Sequence, residues 1–411
     1  MMNKEQYTQN VNETSLSIVQ TAVQAVRTKN ITKSAIRLYD GTSIGVAGAL
    51  GAADPVDLER RAAEALKLGV PYPFTPAAGP QDERSLASSI SDPEVFAAEV
   101  DALMSELRSR HKEFIFSHKA NMGTATVALE NDCGLKCRHT ATTVDIGLVM
   151  KERTSANLMD TMIGYEGPDY KRENLLALAD TVCSAYVNKV DLDEGEMPVC
   201  FFDEDMTYLL KLLQELSGLQ YGSGSSIFSG KIGEKLFSPA VTIYQSRSIA
   251  DGSYRPHFDF EGTVNPDDRF TLVESGVLKA AYTNRSYAAK YNLPLTGCAG
   301  GDYDSVPDLG IPRLALKHSE KSAAELLDGR KGLLVFMAAG GDFTPDGAFA
   351  TPVQNSYVFD GKKIIGRAPE VAVSSHLYKM FGDDFIGVSA DSVLPVEPSR
   401  VFISTMKVSK G

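Results

Sequence analysis

Tryptophan is absent from the 411 residues, and histidine and cysteine number only 6 and 5. His and Cys dominate zinc sites and nucleophilic catalysis, so the available chemistry can be checked residue by residue. The six histidines are followed by Lys112, Lys119, Thr140, Phe258, Ser319 and Leu377. None is followed by Glu, which excludes the helical HExxH pair of zinc hydrolases. A G-x-S-x-G nucleophile elbow is also missing. The Gly-rich stretch Tyr221 to Ser226 lacks the Gly-Lys-Ser/Thr ending of a phosphate loop and reads as a connector or strand bend. The longest strongly apolar run, Leu333 to Ala339, is far short of the ~20 residues a membrane helix needs. Basic excess is lacking too. A net charge of −12 argues against nucleic acid as the main partner. An odd number of cysteines without a disulfide framework suggests reduced thiols, and the polar N-terminus lacks a signal-peptide core, so a cytoplasmic protein is expected.

The pattern that is present predicts an α+β protein of two domains. Leu16, Val19, Val23 and Val26 recur at spacings of three and four, which predicts an amphipathic helix. Asp40-Gly41 reads as a hairpin turn between Ala35–Tyr39 and Ser43–Leu50. Helices are expected from Asp54-Pro55, from Pro93 and over Glu173 to Val187, with strands across Glu113 to Lys151. Val70 to Pro80, with four prolines, reads as a connector. The acidic stretch Asp191 to Glu196 separates an N-terminal α/β domain with antiparallel strands (1–190) from a β-rich C-terminal domain (195–411). The second half opens on a strand, Val199 to Phe202. A helix follows that is expected to bury Met206, Leu209, Leu210, Leu213 and Leu216.

Two clusters could carry chemistry. Cys133-x3-Cys137-x-His139 has metal-ligating residue types. On a straight strand Cys133 and Cys137 would lie about 13 Å apart, too far for one zinc unless Gly134 turns the chain. The alternative is two small apolar thiols and a surface histidine. Arg255, His257, Asp259 and Glu261 would share one face of a strand, either as a solvated charge row or as the wall of a polar pocket.

Longer segments carry a resemblance. Ser229-Gly230-Lys231-Ile232-Gly233-Glu234-Lys235-Leu236-Phe237-Ser238-Pro239, Asp259-x-Glu261-Gly262, Leu272 to Leu278, Tyr287-Ala288-Ala289, Leu295-Thr296-Gly297, Gly341-Asp342-Phe343 and Gly361-Lys362-x-x-x-Gly366 occur in the order found in the TldD/PmbA family. Within it they resemble the PmbA (TldE) branch. The resemblance covers about residues 195 to 411. The N-terminal half fits more loosely, through Arg37-x-x-Asp40-Gly41 and Glu130-Asn131-x-x-Gly134-Leu135.

The resemblance implies an α/β N-terminal domain beside a β-barrel-like C-terminal one. It implies kinship with zinc peptidases that degrade unstructured peptides through a His-Glu-x-x-x-His helix. Some relatives carry the label of DNA gyrase modulators. In this chain Ser229, Gly230 and Glu234 stand where the motif has His, Glu and His, and no Cys follows Cys298. One hydroxyl and one carboxylate are too few ligands for catalytic zinc.

The expectation is a non-catalytic subunit with no cofactor of its own. It would bind unstructured peptides beside a zinc-bearing TldD-like partner, or assemble with itself as a dimer or higher oligomer, without nucleic acid or membrane. Arg255, His257, Asp259, Glu261, Gly262, Thr296 and Gly297 are the peptide-binding candidates. One alternative is a self-standing homo-oligomeric hydrolase using Ser229, Lys231 and Glu234, although Ser229 and Lys231 share a face only in an extended segment. Another is a gyrase-modulating binding protein, against which the spread of acids along the chain weighs.

Overall fold

The computed structural model describes residues 2–79 and 81–410. Its first element corrects the expected helix. Strand β1 (Asn3–Val19) runs antiparallel to β2 (Ala22–Tyr39). Gln20 and Thr21 join them at φ 50° and 61°, the left-handed pair a tight hairpin requires. Within β1 the buried side chains Thr14, Leu16 and Ile18 alternate with period two, while Val19 and Val26 lie exposed. The helical spacing arose from two strands read across a turn.

Strand β3 (Ile44–Leu50) pairs with β2 across the Asp40-Gly41 turn, as expected. Strands β4 (Gln81–Leu86), β5 (Phe114–Asn131), β6 (Lys136–Glu152) and β7 (Thr161–Gly167) complete a seven-stranded sheet. Its order is β3-β2-β1-β5-β6-β4, with β7 also on β6, and only β4 runs parallel to its neighbour. Helix α1 (Pro55–Leu66) begins where Asp54 accepts from the Val56 amide at 3.0 Å. Helix α2 (Pro93–Arg110) buries Phe96, Val100, Leu103, Met104 and Leu107, while α3 (Arg172–Val187) buries Leu175, Leu176, Ala179 and Val182. Both pack on Leu16, Ile18, Phe116, Ile146 and Leu148 of the sheet. Each large side chain so buried contributes about 2 kcal/mol.

The remaining chain starts with β8 (Gly195–Phe202) and α4 (Met206–Glu215). Short helices α5 (Gly218–Ser223) and α6 (Arg285–Tyr291) follow. Four longer strands come later: β9 (Gly332–Ala338), β10 (Ala348–Phe359), β11 (Val371–His376) and β12 (Val401–Lys410). They close a barrel in the order β9-β8-β12-β11-β10, with β10 returning to β9. The barrel-like C-terminal architecture is thus present.

Helix α4 packs against this barrel through Tyr208, Leu209, Leu212 and Leu213, and the Tyr208 ring stacks on Phe402 at 4.3 Å. Met206 and Leu210, expected inside, are exposed, while Lys211 and Glu215 are buried as an ion pair of 2.7 Å. The pair is tolerated because Glu215 also accepts the Ile227 amide at 2.7 Å, so the buried carboxylate keeps partners.

The two halves share apolar cores. Tyr7, Leu129 and Cys137 from the seven-stranded sheet and Leu135 from the β5–β6 turn pack with Phe258, Phe260 and Ala299. The residues around Glu261 sit in this seam.

Candidate functional site

Residues 255–261 do not form the expected strand, and their charged side chains do not share a face. Only isolated bridges and turns occur there, because the chain folds around one carboxylate. Asp259 accepts the amides of Glu261 at 3.0 Å, Thr263 at 2.8 Å and Ala299 at 2.9 Å. These bonds use both carboxylate oxygens, so Asp259 shapes the loop. Arg255 points to the exterior and donates to the Ile311 carbonyl at 3.3 Å.

Glu261 is the centre of the seam. One oxygen accepts the Tyr72 hydroxyl at 2.7 Å and the other the Arg285 amide at 3.0 Å, with the Arg285 guanidinium 3.8 Å away. Burial, and then the Asp259 charge, push its carboxyl up to about 7, against the pull of Tyr72 and Arg285. Burial and the same carboxylate raise the Tyr72 phenol. Next to it, buried Arg37 donates to Glu5 at 3.0 Å and to the Phe260 carbonyl at 2.7 Å. Its Nε and Nη2 have no hydrogen-bond partner, and the guanidinium lies 3.9 Å from the Phe260 ring centroid. The ring face takes the place of an acceptor.

These anchors hold the walls of a cleft of about 1300 Å³. One wall is the connector from Pro73 to Gly79, and the other is the loop from Gly262 to Asp268. Arg285, Ala288 and Ala289 of α6 and the nearby Leu293 and Leu295 complete it, with Arg84 at the side. Arg84 is held by Asp82 at 2.7 Å and Asp268 at 2.8 Å, so it ties β4 to the 262–268 loop wall. Proline-interrupted backbone and small side chains leave room for an extended chain.

Of the seven peptide-binding candidates, Gly262 lines the cleft. Glu261 and Asp259 stand behind it. Thr296, fully buried, donates to Gln245 and accepts the Thr283 amide, while its carbonyl accepts from Asn265, a residue of the loop wall. Gly297 adopts φ +73°, with Thr263 only 2.8 Å from where a Cβ would stand. Both frame the loop from behind. Gly262 has φ +80°, and a Cβ there would come within 2.4 Å of Leu135. Gly262→Ala should therefore cost about 1–3 kcal/mol in urea unfolding, through left-handed strain and displacement of Leu135.

His257 faces away from the cleft. Its Nδ1 lies 3.4 Å from Nδ1 of His139, and its Nε2 is 3.5 Å from Asp82. His139 is buried there and is not a surface residue. Gly134 does turn the chain, at φ +93°, but Cys137 is enclosed by apolar side chains, and burial pushes its thiol up to about 11. Among the described residues, no group of three or more His, Cys, Asp and Glu side chains could hold a metal ion.

Burial, and then Arg84, lower His257 to about 4. Between pH 6.5 and 4 the unfolded chain therefore binds protons that the folded one refuses, and stability is lost as pH falls through that window. Glu261 acts oppositely, because its raised carboxyl removes stability as pH rises from about 4.5 to about 7. The variant His257→Gln should remove the first effect. Its stability relative to wild type should rise by about 2 kcal/mol between pH 7 and pH 5, measured by urea unfolding at each pH.

Ser229, Lys231 and Glu234 lie on consecutive turns, neither helical nor extended. Ser229 donates its hydroxyl to the Tyr221 carbonyl at 2.9 Å. Lys231 donates to the Tyr378 hydroxyl at 3.2 Å. No side-chain hydrogen bond joins the three.

The candidates from the sequence left out Arg285, Asn265 and the 73–79 wall of the cleft. The available signal was the proline-rich stretch from Val70 to Pro80, which reads as a linker until its 73–79 part is found facing α6.

The family model described as the PmbA/TldA metallopeptidase C-terminal domain matches residues 194–410. A Methanothermobacter thermautotrophicus protein named metalloprotease is 31% identical over 156 residues, 38% of this chain and 34% of that protein. An uncharacterized Methanocaldococcus jannaschii protein is 31% identical over 143 residues, 34% and 33% of the two chains. The chain thus spans about a third of the length of these curated relatives. Among solved structures, TldE from Thermococcus kodakarensis aligns with a TM-score of 0.82 at 18% identity, covering 100% of this chain and 97% of that one. A Thermotoga maritima protein described as a modulator of a DNA gyrase gives 0.79 at 17% identity, covering 99% and 96%. At such identities the likeness is one of fold.

Proposed function

The chain belongs to the PmbA/TldA metallopeptidase family, and from that premise we propose that it is a non-catalytic, TldE-like subunit. It holds unstructured peptides for a zinc-bearing TldD-like partner in the cytoplasm. The observation that carries this reading is the seam cleft of about 1300 Å³, framed by the Tyr72–Glu261–Arg285 link. An extended peptide would bind there through sequence-tolerant backbone hydrogen bonds.

The hydrolytic centre belongs to the partner. The positions of the zinc motif hold Ser229, Gly230 and Glu234 on a turn, where a hydroxyl, a glycine and one carboxylate cannot complete a zinc site. Zinc is accordingly expected in the partner alone. The self-standing hydrolase has less support, since the Ser229 hydroxyl is spent on a backbone carbonyl and Lys231 on Tyr378. No helix of the described residues is long and apolar enough to cross a membrane.

A cleft-filling variant tests the reading. Ala289 is exposed on α6 and lines the cleft, so Ala289→Trp occupies it without entering the core. Titration with a labelled unstructured peptide should show affinity reduced about tenfold or more, equivalent to ~1.4 kcal/mol. Equal affinity in wild type and variant would refute the cleft as the peptide site.

A further inference from the structure

The three walls of the cleft are joined at one side chain. Neither the connector ahead of β4 nor the loop from Gly262 to Asp268 belongs to a named strand, so no sheet ladder sets the spacing between them. Among the described residues, two hydrogen bonds cross from the connector to the walls facing it. In one, the hydroxyl of Tyr72, just before Pro73, donates to Glu261 at 2.7 Å. In the other, the Arg285 guanidinium donates to the Thr75 carbonyl. Glu261 serves both, because its second oxygen accepts the Arg285 amide at 3.0 Å and lies 3.8 Å from the guanidinium. The guanidinium also donates to the Glu261 carbonyl at 3.3 Å. Connector, loop and α6 therefore meet at a carboxylate that is 3% exposed.

This arrangement needs the ionised form. A carboxylate only accepts, and both of its partners here, the Tyr72 O–H and the Arg285 N–H, are donors. A proton taken from solvent onto either oxygen turns that oxygen into a donor facing a donor. The Arg285 amide cannot reverse. Tyr72 can receive the new O–H only by turning its own hydrogen away from Glu261, which is its one side-chain hydrogen bond among the described residues. The guanidinium meanwhile loses the charge beside it. Of the ionisable groups around Glu261, Arg285 of α6 and Arg37 of β2 remain cations. Burial raises the phenols of Tyr72 and of Tyr39, whose ring lies 5.8 Å from that of Tyr72. Asp259 on the same loop and Glu5 of β1 are already held by donors of their own. Glu261 itself titrates at about 7, raised by burial and then by the Asp259 charge.

We propose that Glu261 is a proton-operated latch on the cleft, which holds peptide while the carboxyl is ionised and loosens its grip when a proton neutralises it. This rests on the cleft being the peptide site and adds a control to it. With a midpoint near 7, about nine tenths of the chain is latched at pH 8 and about one tenth at pH 6. Apparent affinity scales with the latched fraction, so peptide is taken up in neutral to alkaline conditions and let go on mild acidification.

The test titrates the full chain with a labelled peptide of Gly, Ser, Pro and Leu, acetylated and amidated at its ends, so that the ligand itself carries no titrating group. Wild type should bind about fivefold or more weaker at pH 6 than at pH 8. Glu261→Gln should bind alike at both pH values, near the level of wild type at pH 6. Tyr72→Phe keeps the carboxyl but removes a donor that favours its ionised form, so its affinity midpoint should move up by about half a pH unit or more. That shift can be read even where the Gln variant folds poorly. Ala289→Trp separates this proposal from the reading beneath it. If Ala289→Trp blocks the peptide while wild-type affinity is the same at pH 6 and 8, the cleft stands and the latch is overturned. The latch is equally overturned by a Glu261→Gln variant that keeps the wild-type pH dependence, or by a Tyr72→Phe midpoint that stays in place. Ala289→Trp binding like wild type would remove the peptide site, and the latch with it.

Discussion

Arg37→Met is expected to destabilise the protein by about 3–5 kcal/mol in urea unfolding, the largest effect of any single substitution considered. Arg37 is fully buried, and its removal leaves the Glu5 carboxylate at the same depth without its cation. The Tyr39 hydroxyl at 2.8 Å and the Asn131 amide at 3.3 Å remain as donors, but neither carries charge. The Phe260 carbonyl also loses its donor. Because Phe260 precedes Glu261 and Gly262, the loop wall should loosen, and peptide affinity should fall with stability. The double variant Arg37→Met with Glu5→Gln should recover a large part of the loss, since the buried charge is then gone on both sides. A double variant no better than the single one would show that the aromatic packing of the guanidinium, and not the ion pair, dominates.

Glu261→Leu should cost about 2–4 kcal/mol and at least as much peptide affinity as Ala289→Trp. The Tyr72 hydroxyl and the Arg285 amide would both be left inside without their acceptor, and the Arg285 guanidinium would lose its nearest carboxylate. Glu261→Gln keeps an acceptor oxygen in place and should cost less. It should also abolish the loss of stability that Glu261 causes between about pH 4.5 and about pH 7. Stability measured across that window would separate both variants from wild type: each should gain on wild type as pH rises, the Leu variant from a lower baseline, whereas a profile parallel to wild type would remove Glu261 as the titrating group.

Much of the local structure was legible because its causes are local. Asp54 caps α1 through a bond to a residue two positions on, and Asp40-Gly41 turns a hairpin within a few residues. The apolar faces of α2 and α3 follow the helical period. Where the period misled, two adjacent strands imitated it, as with Leu16, Val19, Val23 and Val26. Buried charge was the part that no local pattern signals. Arg37, Lys211 and Glu215 are buried because partners distant in the fold or one helical turn away compensate them.

The site was legible only in part for the same reason. The 259–262 segment was recognisable as a distinctive motif, but its bonds run to Tyr72, 189 positions earlier in the chain, and to Arg285, 24 positions later. No spacing rule reaches across that distance. Gly262 could be identified from its place beside two acids. The opposite wall, a proline-rich connector, acquires meaning only when the barrel domain brings α6 against it.

The central claim is that this chain holds peptide while a partner cuts it. It is tested most directly by incubating an unstructured peptide with the purified chain alone, with and without a metal chelator, and then with a zinc-bearing TldD-like subunit added. The account predicts no cleavage by the chain alone and chelator-sensitive cleavage once the partner is present. Chelator-sensitive cleavage by the isolated chain would contradict it.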